Sequence, residues 1–262
     1  MAPPEKKVVL FGRTGDGKST VANALVTGGI DHVVFPFSDA ATGCTSEIKT
    51  ASGRGWTVTD TVGLGEAETG TITNAQAREM LTTFLKKVKD DYSHIIFIQK
   101  ANRVTIMDEM NWLLFTQIFE GAEDAFVILF TAADEKWLDE NRDRLPTYMD
   151  GVETLAVNIP PISNRKVTEK RHKEIREKSI EKLEEDLVKS FERRGNKYST
   201  PTIAHMNDEQ LEEKSKSLMQ FVVDAIKKMF DATMWLTIAS KLSSLVSVAD
   251  LILQIINLAG GT

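Results

Sequence analysis

The sequence predicts an α/β fold, with a mostly parallel β-sheet covered by helices on both faces and a helical extension at the C-terminal end. Short apolar runs, such as Val8–Phe11 and Ile95–Ile98, are typical of strands buried in the middle of a sheet. Segments with helical periodicity lie between these runs, and this alternation indicates a doubly wound sheet with ligands at the carboxyl ends of its strands. We place the α/β domain at residues 1–194 and the extension at residues 195–262.

In the first half of the chain, each predicted element is bounded by residues that break regular structure. The first strand leads into a glycine-rich turn, and Gly28 with Gly29 ends the helix that follows. A turn at residues 52–55 joins two strands into a hairpin. The predicted elements are a strand at residues 8–11, a helix at 19–26, a loop at 31–44, strands at 46–51 and 56–59, and a helix at 74–89.

The second half continues the alternation and ends in helices. Asp108, three residues after Thr105, resembles a capping box at the start of a helix that Gly121 ends. The predicted elements are strands at residues 94–99, 125–130 and 155–159, and helices at 105–120, 135–144, 166–194, 208–229 and 231–258, with a linker at 195–201.

The composition excludes several classes of protein. A hydrophobic content of 42% and a charged content of 27% are ordinary for a soluble globular protein. The net charge of −6 argues against nucleic-acid binding, which calls for concentrated positive charge. The single cysteine, Cys44, excludes an internal disulfide and fits a reducing compartment. The N-terminal residues contain no apolar signal segment, so we expect a cytoplasmic protein.

The stretch after the first strand has the G-x-x-x-x-G-K-S pattern of a phosphate-binding loop. Its glycines let backbone N–H groups approach phosphate oxygens without a Cβ in the way, and the next helix directs the positive end of its dipole at the same oxygens. Lys18 is expected to reach the β- and γ-phosphates and Ser19 to hold Mg²⁺. The predicted nucleotide-binding residues here are Gly12, Arg13, Thr14, Gly15, Asp16, Gly17, Lys18, Ser19 and Thr20.

A second motif, Asp60-Thr61-Val62-Gly63, ends the second strand of the hairpin. Asp60 is placed to hold Mg²⁺ through water, and the N–H of Gly63 to contact the γ-phosphate. Thr45, in the loop before the hairpin, is the candidate second hydroxyl ligand of the metal. Thr42 is its rival, and an ordinary loop threonine is the remaining alternative.

The residue expected to select the base follows a later buried strand, in the segment Phe130-Thr131-Ala132-Ala133-Asp134. The carboxylate of Asp134 can accept hydrogen bonds from the N1–H and exocyclic amine of guanine, a pair of donors that adenine lacks. Guanine-binding proteins usually have a lysine two residues before this aspartate, where this chain has Ala132. Asp134 is also a candidate cap for the following helix, and one residue can serve both purposes.

Together these motifs resemble those of the immunity-associated nucleotide-binding GTPases, the AIG or GIMAP family, which are septin-like P-loop proteins. The resemblance spans about residues 7–187, and its most specific part is the segment from Ile95 to Gly121. The family carries a hydrophobic box there with the same glutamine, arginine-aromatic-threonine and phenylalanine-glycine elements. This chain departs from that pattern with Val104 in place of an aromatic residue and one extra residue before Arg103.

The resemblance implies a P-loop G domain that binds GTP or GDP with Mg²⁺, hydrolyses GTP slowly and forms a homodimer through its nucleotide face. Slow turnover agrees with Leu64, which stands where many small G proteins have a water-orienting glutamine after D-x-x-G. Lys18, Thr45 and Arg103 are the candidate catalytic residues. Arg103 is expected to act across the dimer, although a solvated arginine at a helix start is an equal alternative. The fifth motif of the family falls at residues 162–164, which would put Asn164 beside the base.

Two other functions stay open on the sequence alone. One is an adenine-specific P-loop ATPase, which the alanine at position 132 permits. The other is a scaffold that holds GTP without hydrolysing it.

The C-terminal segment Leu242–Ala259 is rich in apolar residues, but its polar residues recur on one stripe of a helix. A membrane-spanning helix needs about 20 nearly uniform apolar residues, and Asp250 lies near the middle of this one. We therefore expect this helix to pack on the rest of the protein, and peripheral contact with an intracellular membrane or with a second subunit is the next alternative.

Overall fold

The computed structural model describes residues 5–13, 15–29, 32–36, 48–61, 74–101, 104 and 106–229. The strands are β1 (Lys6–Gly12), β2 (Lys49–Gly53), β3 (Trp56–Asp60), β4 (His94–Lys100), β5 (Phe126–Thr131) and β6 (Glu153–Val157). The α-helices are α1 (Lys18–Thr27), α2 (Asn74–Lys87), α3 (Ile106–Ile118), α4 (Glu135–Asn141), α5 (Lys166–Arg193) and α6 (Asp208–Met229).

The six strands form one sheet in the order β2-β3-β1-β4-β5-β6. All neighbouring pairs are parallel except β2 and β3, which form the antiparallel hairpin at one edge. The parallel strands β1, β3, β4, β5 and β6 therefore end on the same side of the sheet. The predicted fold class, a mostly parallel sheet wound with helices on both faces, is confirmed.

Side chains alternate between the two faces of the central strands, as the pleat of a β-strand requires. On one face, Val9, Phe97 and Phe130 join residues of α2, α3 and α6 in one buried cluster. On the other face, Leu10 and Ile98 pack against residues of α1 and α5. This arrangement explains the unbroken apolar runs, because strands covered on both faces have no position that faces water.

Helix α1 begins and ends at glycines in the left-handed backbone region. Gly17 precedes it with φ +95°, and Gly28 follows it with φ +78° and donates its N–H to the carbonyl of Ala24 at 2.8 Å. A left-handed residue after the last turn is a common way for a helix to end, and glycine adopts it without a Cβ clash. Helix α1 therefore begins directly after the glycine-rich loop and ends at a defined residue.

The segment predicted as a linker at residues 195–201 and the residue after it make backbone hydrogen bonds to residues next to β4 and α3. Tyr92 and Ser199 exchange backbone hydrogen bonds of 2.9 and 2.8 Å, and Thr202 donates its N–H to the carbonyl of Glu120 at 2.8 Å. These contacts lie far apart in the sequence, so no local signal distinguishes them from a flexible connection.

Helix α6 has the predicted bounds and packs on the α/β domain. Leu211 and Leu218 are buried in the same cluster as the core of the sheet. The hydroxyls of Thr82 on α2 and Ser215 on α6 are buried and lie 2.7 Å apart. Within the described residues, α6 therefore shares a hydrophobic core with the sheet. The domain boundary predicted after residue 194 stays a prediction.

The predicted helix at residues 231–258 lies outside the described residues. Among the helices of the described part of the chain, none is long and apolar enough to cross a membrane.

We predict that Leu211→Ala lowers the free energy of unfolding by about 3 kcal/mol, because it leaves a cavity under α6 in the main core. Urea unfolding followed by circular dichroism measures the change. The neighbouring exposed residue serves as a control, and Glu212→Ala is expected to stay within about 0.5 kcal/mol of the original protein. A Leu211→Ala loss as small as that of the control would contradict the packing of α6 on this core.

A candidate phosphate-binding loop and base-side cavity

At the end of β1 and in the loop before α1, glycine stands at positions where a larger residue would clash or strain the backbone. A Cβ on Gly12 would lie 2.2 Å from the carbonyl oxygen of Ile98 on β4, closer than two atoms can approach. Gly15 and Gly17 have φ of +82° and +95°, which side-chain-bearing residues rarely adopt. The predicted phosphate-binding loop is therefore built at the end of β1, with the start of α1 directly behind it.

Lys18 turns back over this loop. Its ammonium donates hydrogen bonds to the carbonyls of Gly12 at 2.9 Å and Arg13 at 2.8 Å, and the residue is buried. Burial lowers the pKa of Lys18, and the negative charges of Asp60 and Asp16 oppose that shift. The loop thus carries a fixed positive charge beside its backbone N–H groups, which suits a phosphate ligand.

Ser19 and Asp60 meet at the junction of α1 and β3. The hydroxyl of Ser19 donates to Asp60 Oδ2 at 2.7 Å, and Asp60 is only 1% exposed. Burial raises the pKa of Asp60, while Lys18 and the hydrogen bond from Ser19 lower it. Its other oxygen, Oδ1, has no hydrogen-bond partner among the described residues. An oxygen pair with one unsatisfied carboxylate oxygen fits a hard cation such as Mg²⁺, which prefers oxygen ligands.

The end of β5 is bonded directly to the phosphate-binding loop. Thr131 donates its hydroxyl hydrogen to the carbonyl of Asp16 at 2.6 Å. The next residue, Ala132, has φ +55°, a left-handed conformation that turns the chain towards α4. Asp134 then accepts a hydrogen bond from the N–H of Trp137 at 2.9 Å and is exposed. Asp134 therefore caps α4, as the sequence allowed, and it lies at the same end of the sheet as the loop.

A cavity of about 280 Å³ opens beside the loop. Its wall includes Gly15, Gly17, Thr131, Ala132 and the segment at residues 157–161. Five carboxyl-terminal strand ends lie on this side of the sheet, which is where ligands bind in open α/β folds. The loop and the cavity together form the candidate nucleotide site.

The residue in the cavity wall at the end of β6 is Asn158, which no sequence motif identified. The predicted base-side residue of this region, Asn164, lies further along, is exposed and is not part of this wall. The signal that points to Asn158 is its position directly after a strand that ends at the binding edge. Because β6 is only weakly apolar, the sequence pattern predicted this strand at residues 155–159, later in the chain than the observed β6.

Arg13 connects the loop to α3, a link that no sequence pattern indicated. Its guanidinium lies 3.2 Å from Asp108 Oδ1, and the side chain of Asp108 is only 3% exposed. Asp108 also lies in the first turn of α3. The capping box predicted from Thr105 and Asp108 stays a prediction, because Thr105 lies outside the described residues.

Several predicted residues cannot be placed in this site. Thr14, Thr45, Gly63 and Arg103 lie outside the described residues. In the part of the chain that the structure describes, no group of histidine, cysteine, aspartate or glutamate side chains forms a further metal site.

Asp16 gives the loop a pH-dependent stability. Burial raises the pKa of Asp16 from 3.8 to about 6, although the charges of Arg13 and Lys18 lower it. The folded protein therefore binds this proton more tightly than the unfolded chain. The resulting destabilisation is absent below pH 4, grows between the two pKa values and is complete above about pH 6.

We predict that Asp16→Asn raises the free energy of unfolding of the nucleotide-free protein by up to about 3 kcal/mol at pH 7.5 and by roughly half as much at pH 5. Urea unfolding at both pH values measures this difference. Asp150→Asn, at an exposed position, is the charge-matched control and should change stability little at either pH. An equal gain for Asp16→Asn at both pH values would show that titration of this carboxyl is not the cause.

The chain is similar to a known protein family and to plant proteins of that kind. The model of the AIG1 family matches residues 6–220. Immune-associated nucleotide-binding protein 4 of Arabidopsis thaliana is 32% identical over 154 residues, which are 56% of this chain and 44% of that protein. Immune-associated nucleotide-binding protein 9 of the same plant is 25% identical over 251 residues, which are 87% of this chain and 70% of that protein.

Among solved structures, Toc33 from Arabidopsis thaliana in complex with Mg²⁺ and GMPPNP has a TM-score of 0.39 and 17% identity, over 58% of this chain and 70% of that chain. The chain spans less than half the length of the first of these relatives. The family match covers the sheet, the phosphate-binding loop, the residues of the cavity wall and most of α6. This chain belongs to the AIG1 family.

Proposed function

We propose that this protein is a guanine-nucleotide-binding switch that binds GTP and GDP with Mg²⁺, hydrolyses GTP slowly and forms a homodimer through its nucleotide face. The observation that carries the proposal is the 2.7 Å contact between Ser19 and the buried Asp60 behind a glycine loop with a buried lysine. Membership of the AIG1 family and the nucleotide-binding relatives support a GTP-binding protein.

The site has two halves, one that would bind the phosphates of the nucleotide and one that would bind its nucleoside. Backbone N–H groups of the loop and the ammonium of Lys18 would hold the phosphates. Ser19 and Asp60 would hold Mg²⁺, which supplies positive charge to neutralise phosphate oxygens during hydrolysis. Asp134 would accept the N1–H and amine of guanine, and Asn158 would line the base-side wall.

Slow hydrolysis is supported by the sequence after the D-x-x-G motif. Leu64 cannot orient a water molecule, so an attacking water has no glutamine partner at that position. Hydrolysis would then depend on a residue supplied by a second copy, and we propose Arg103 for this role. The switch would change its assembly state with the nucleotide, and turnover would release the dimer.

The competing function with an observation in its favour is an adenine-specific ATPase. The observation is Ala132, which stands where guanine-binding proteins usually have a lysine. Comparing the dissociation constants of GDP and ADP for the original protein separates these functions, because an aspartate at this position disfavours adenine. A preference for ADP would overturn the proposed function.

We predict that Asp134→Asn weakens GDP binding at least about tenfold and gives measurable binding of xanthosine diphosphate, because an amide can donate to the additional carbonyl of xanthine. Isothermal titration with both nucleotides measures the change. Asparagine is also a good helix cap, so α4 and the stability of the protein should be preserved. Asp139→Asn, on the exposed side of the same helix, is the matched control and should leave both affinities unchanged. Unaltered GDP binding by Asp134→Asn would remove Asp134 from the base site.

We predict that Arg103→Ala lowers the concentration-dependent part of the GTP hydrolysis rate about tenfold or more, because a positive charge from the second copy no longer stabilises the transition state. Phosphate release measured under single-turnover conditions over a range of protein concentrations gives this rate. Arg142→Ala, which removes an exposed arginine directly after α4, serves as the control. The same rate as the original protein at every concentration would reject a role for Arg103 in trans, and the absence of any hydrolysis by the original protein would favour a scaffold.

A further inference from the structure

The walls of the candidate nucleotide site contain two lysines with different surroundings. Lys18 is buried inside the phosphate-binding loop and bonded to two carbonyls. Lys100, at the last position of β4, is exposed and lines the base-side cavity. Among the described residues, the side chain of Lys100 has neither a hydrogen bond nor an ion pair, and the cavity wall contains no other basic residue.

The sheet register places Lys100 beside Thr131 in this wall. Lys100 lies opposite Thr131 in the parallel pairing of β4 and β5, and the N–H of Ala101 donates to the carbonyl of Thr131 at 2.9 Å. Neighbouring strands are about 4.8 Å apart. Thr131 is in turn bonded to Asp16 of the phosphate-binding loop. The four-carbon side chain of Lys100 therefore starts one strand away from the residue that joins β5 to the loop.

The rest of the base-side wall lacks positive charge. Away from the phosphate-binding loop, whose Asp16 also lines the cavity, this wall is formed by Thr131, Ala132 and the segment at residues 157–161, whose side chains are neutral. A purine nucleoside presents hydrogen-bond acceptors on its ring nitrogens, its carbonyl and its ribose oxygens. The ammonium of Lys100 has only donors to offer, so it complements this surface.

We propose that Lys100 is a nucleotide-binding residue that contacts the nucleoside half of the bound guanine nucleotide and supplies, from β4, the positive charge that the β5–α4 loop lacks at position 132. This inference rests on the proposed function. Lys100 shares its wall with the ends of β5 and β6. Of these strands, β5 leads to Asp134, whereas the phosphate half already has Lys18. The contact is therefore made equally with GDP and GTP.

The test compares the binding of fluorescent N-methylanthraniloyl derivatives of GDP and of a non-hydrolysable GTP analogue. Lys100→Ala is expected to weaken the binding of both nucleotides about tenfold and by the same factor, as loss of a hydrogen bond from a charged donor implies. Lys100→Gln repeats the test with a longer neutral side chain. Lys136→Ala removes the same charge from α4, where the side chain is 82% exposed, and should bind both nucleotides like the original protein.

A double variant tests whether binding needs the positive charge at position 100 itself or anywhere in the same wall. In Lys100→Ala/Ala132→Lys the ammonium returns from the adjacent loop, at a residue that already has a left-handed backbone. We expect this double variant to recover binding to within about threefold of the original protein, because both positions line the same wall.

The binding results are interpreted for variants that thermal unfolding shows to be folded. Binding within twofold of the original by both Lys100 variants would overturn the inference. So would a loss confined to the triphosphate, which would put Lys100 on the γ-phosphate, or a double variant that recovers nothing. If the original protein itself binds no guanine nucleotide, the proposed function fails first, and that result is distinguishable from all of these.

Discussion

The structure of this site depends on how the charge of Lys18 is kept below the surface. A buried ammonium is costly unless polar groups replace its water. Here the carbonyls of Gly12 and Arg13 do so at 2.9 and 2.8 Å, and the negative charges of Asp60 and Asp16 stand nearby. Those carbonyls can turn inward only because the loop bends through glycines. Three features therefore help to accommodate the buried charge of Lys18. They are the close approach of Gly12 to β4, the left-handed glycines and the buried carboxylates.

The fold and the phosphate half of the site could be predicted from local sequence patterns. Apolar runs of strand length located the central strands, and the glycine spacing located the loop, because both signals depend on neighbouring residues only. The Ser19–Asp60 pair was also predictable, since each residue ends or begins an element at the same edge of a parallel sheet. Helix α6 was predicted with its bounds because its apolar periodicity is regular.

The remaining features could not be predicted because they depend on contacts between distant residues. The pairing of Arg13 with Asp108 joins positions that are unrelated in the sequence, and a capping pattern explained Asp108 equally well. Asn158 was missed because β6 is short and only partly buried, so its end could not be located from apolar residues. The isolated bridge between Tyr92 and Ser199 joins the predicted linker to the residues just before β4.

The packing of α6 on α2 has a mechanical consequence for the whole chain. Helix α2 is the first described element after the D-x-x-G motif, and α6 is followed in the sequence by residues 230–262. The buried hydroxyl pair of Thr82 and Ser215, together with the leucines beneath it, joins the two helices into one unit. A displacement of α2 must either carry the beginning of the C-terminal segment with it or break a buried hydrogen bond.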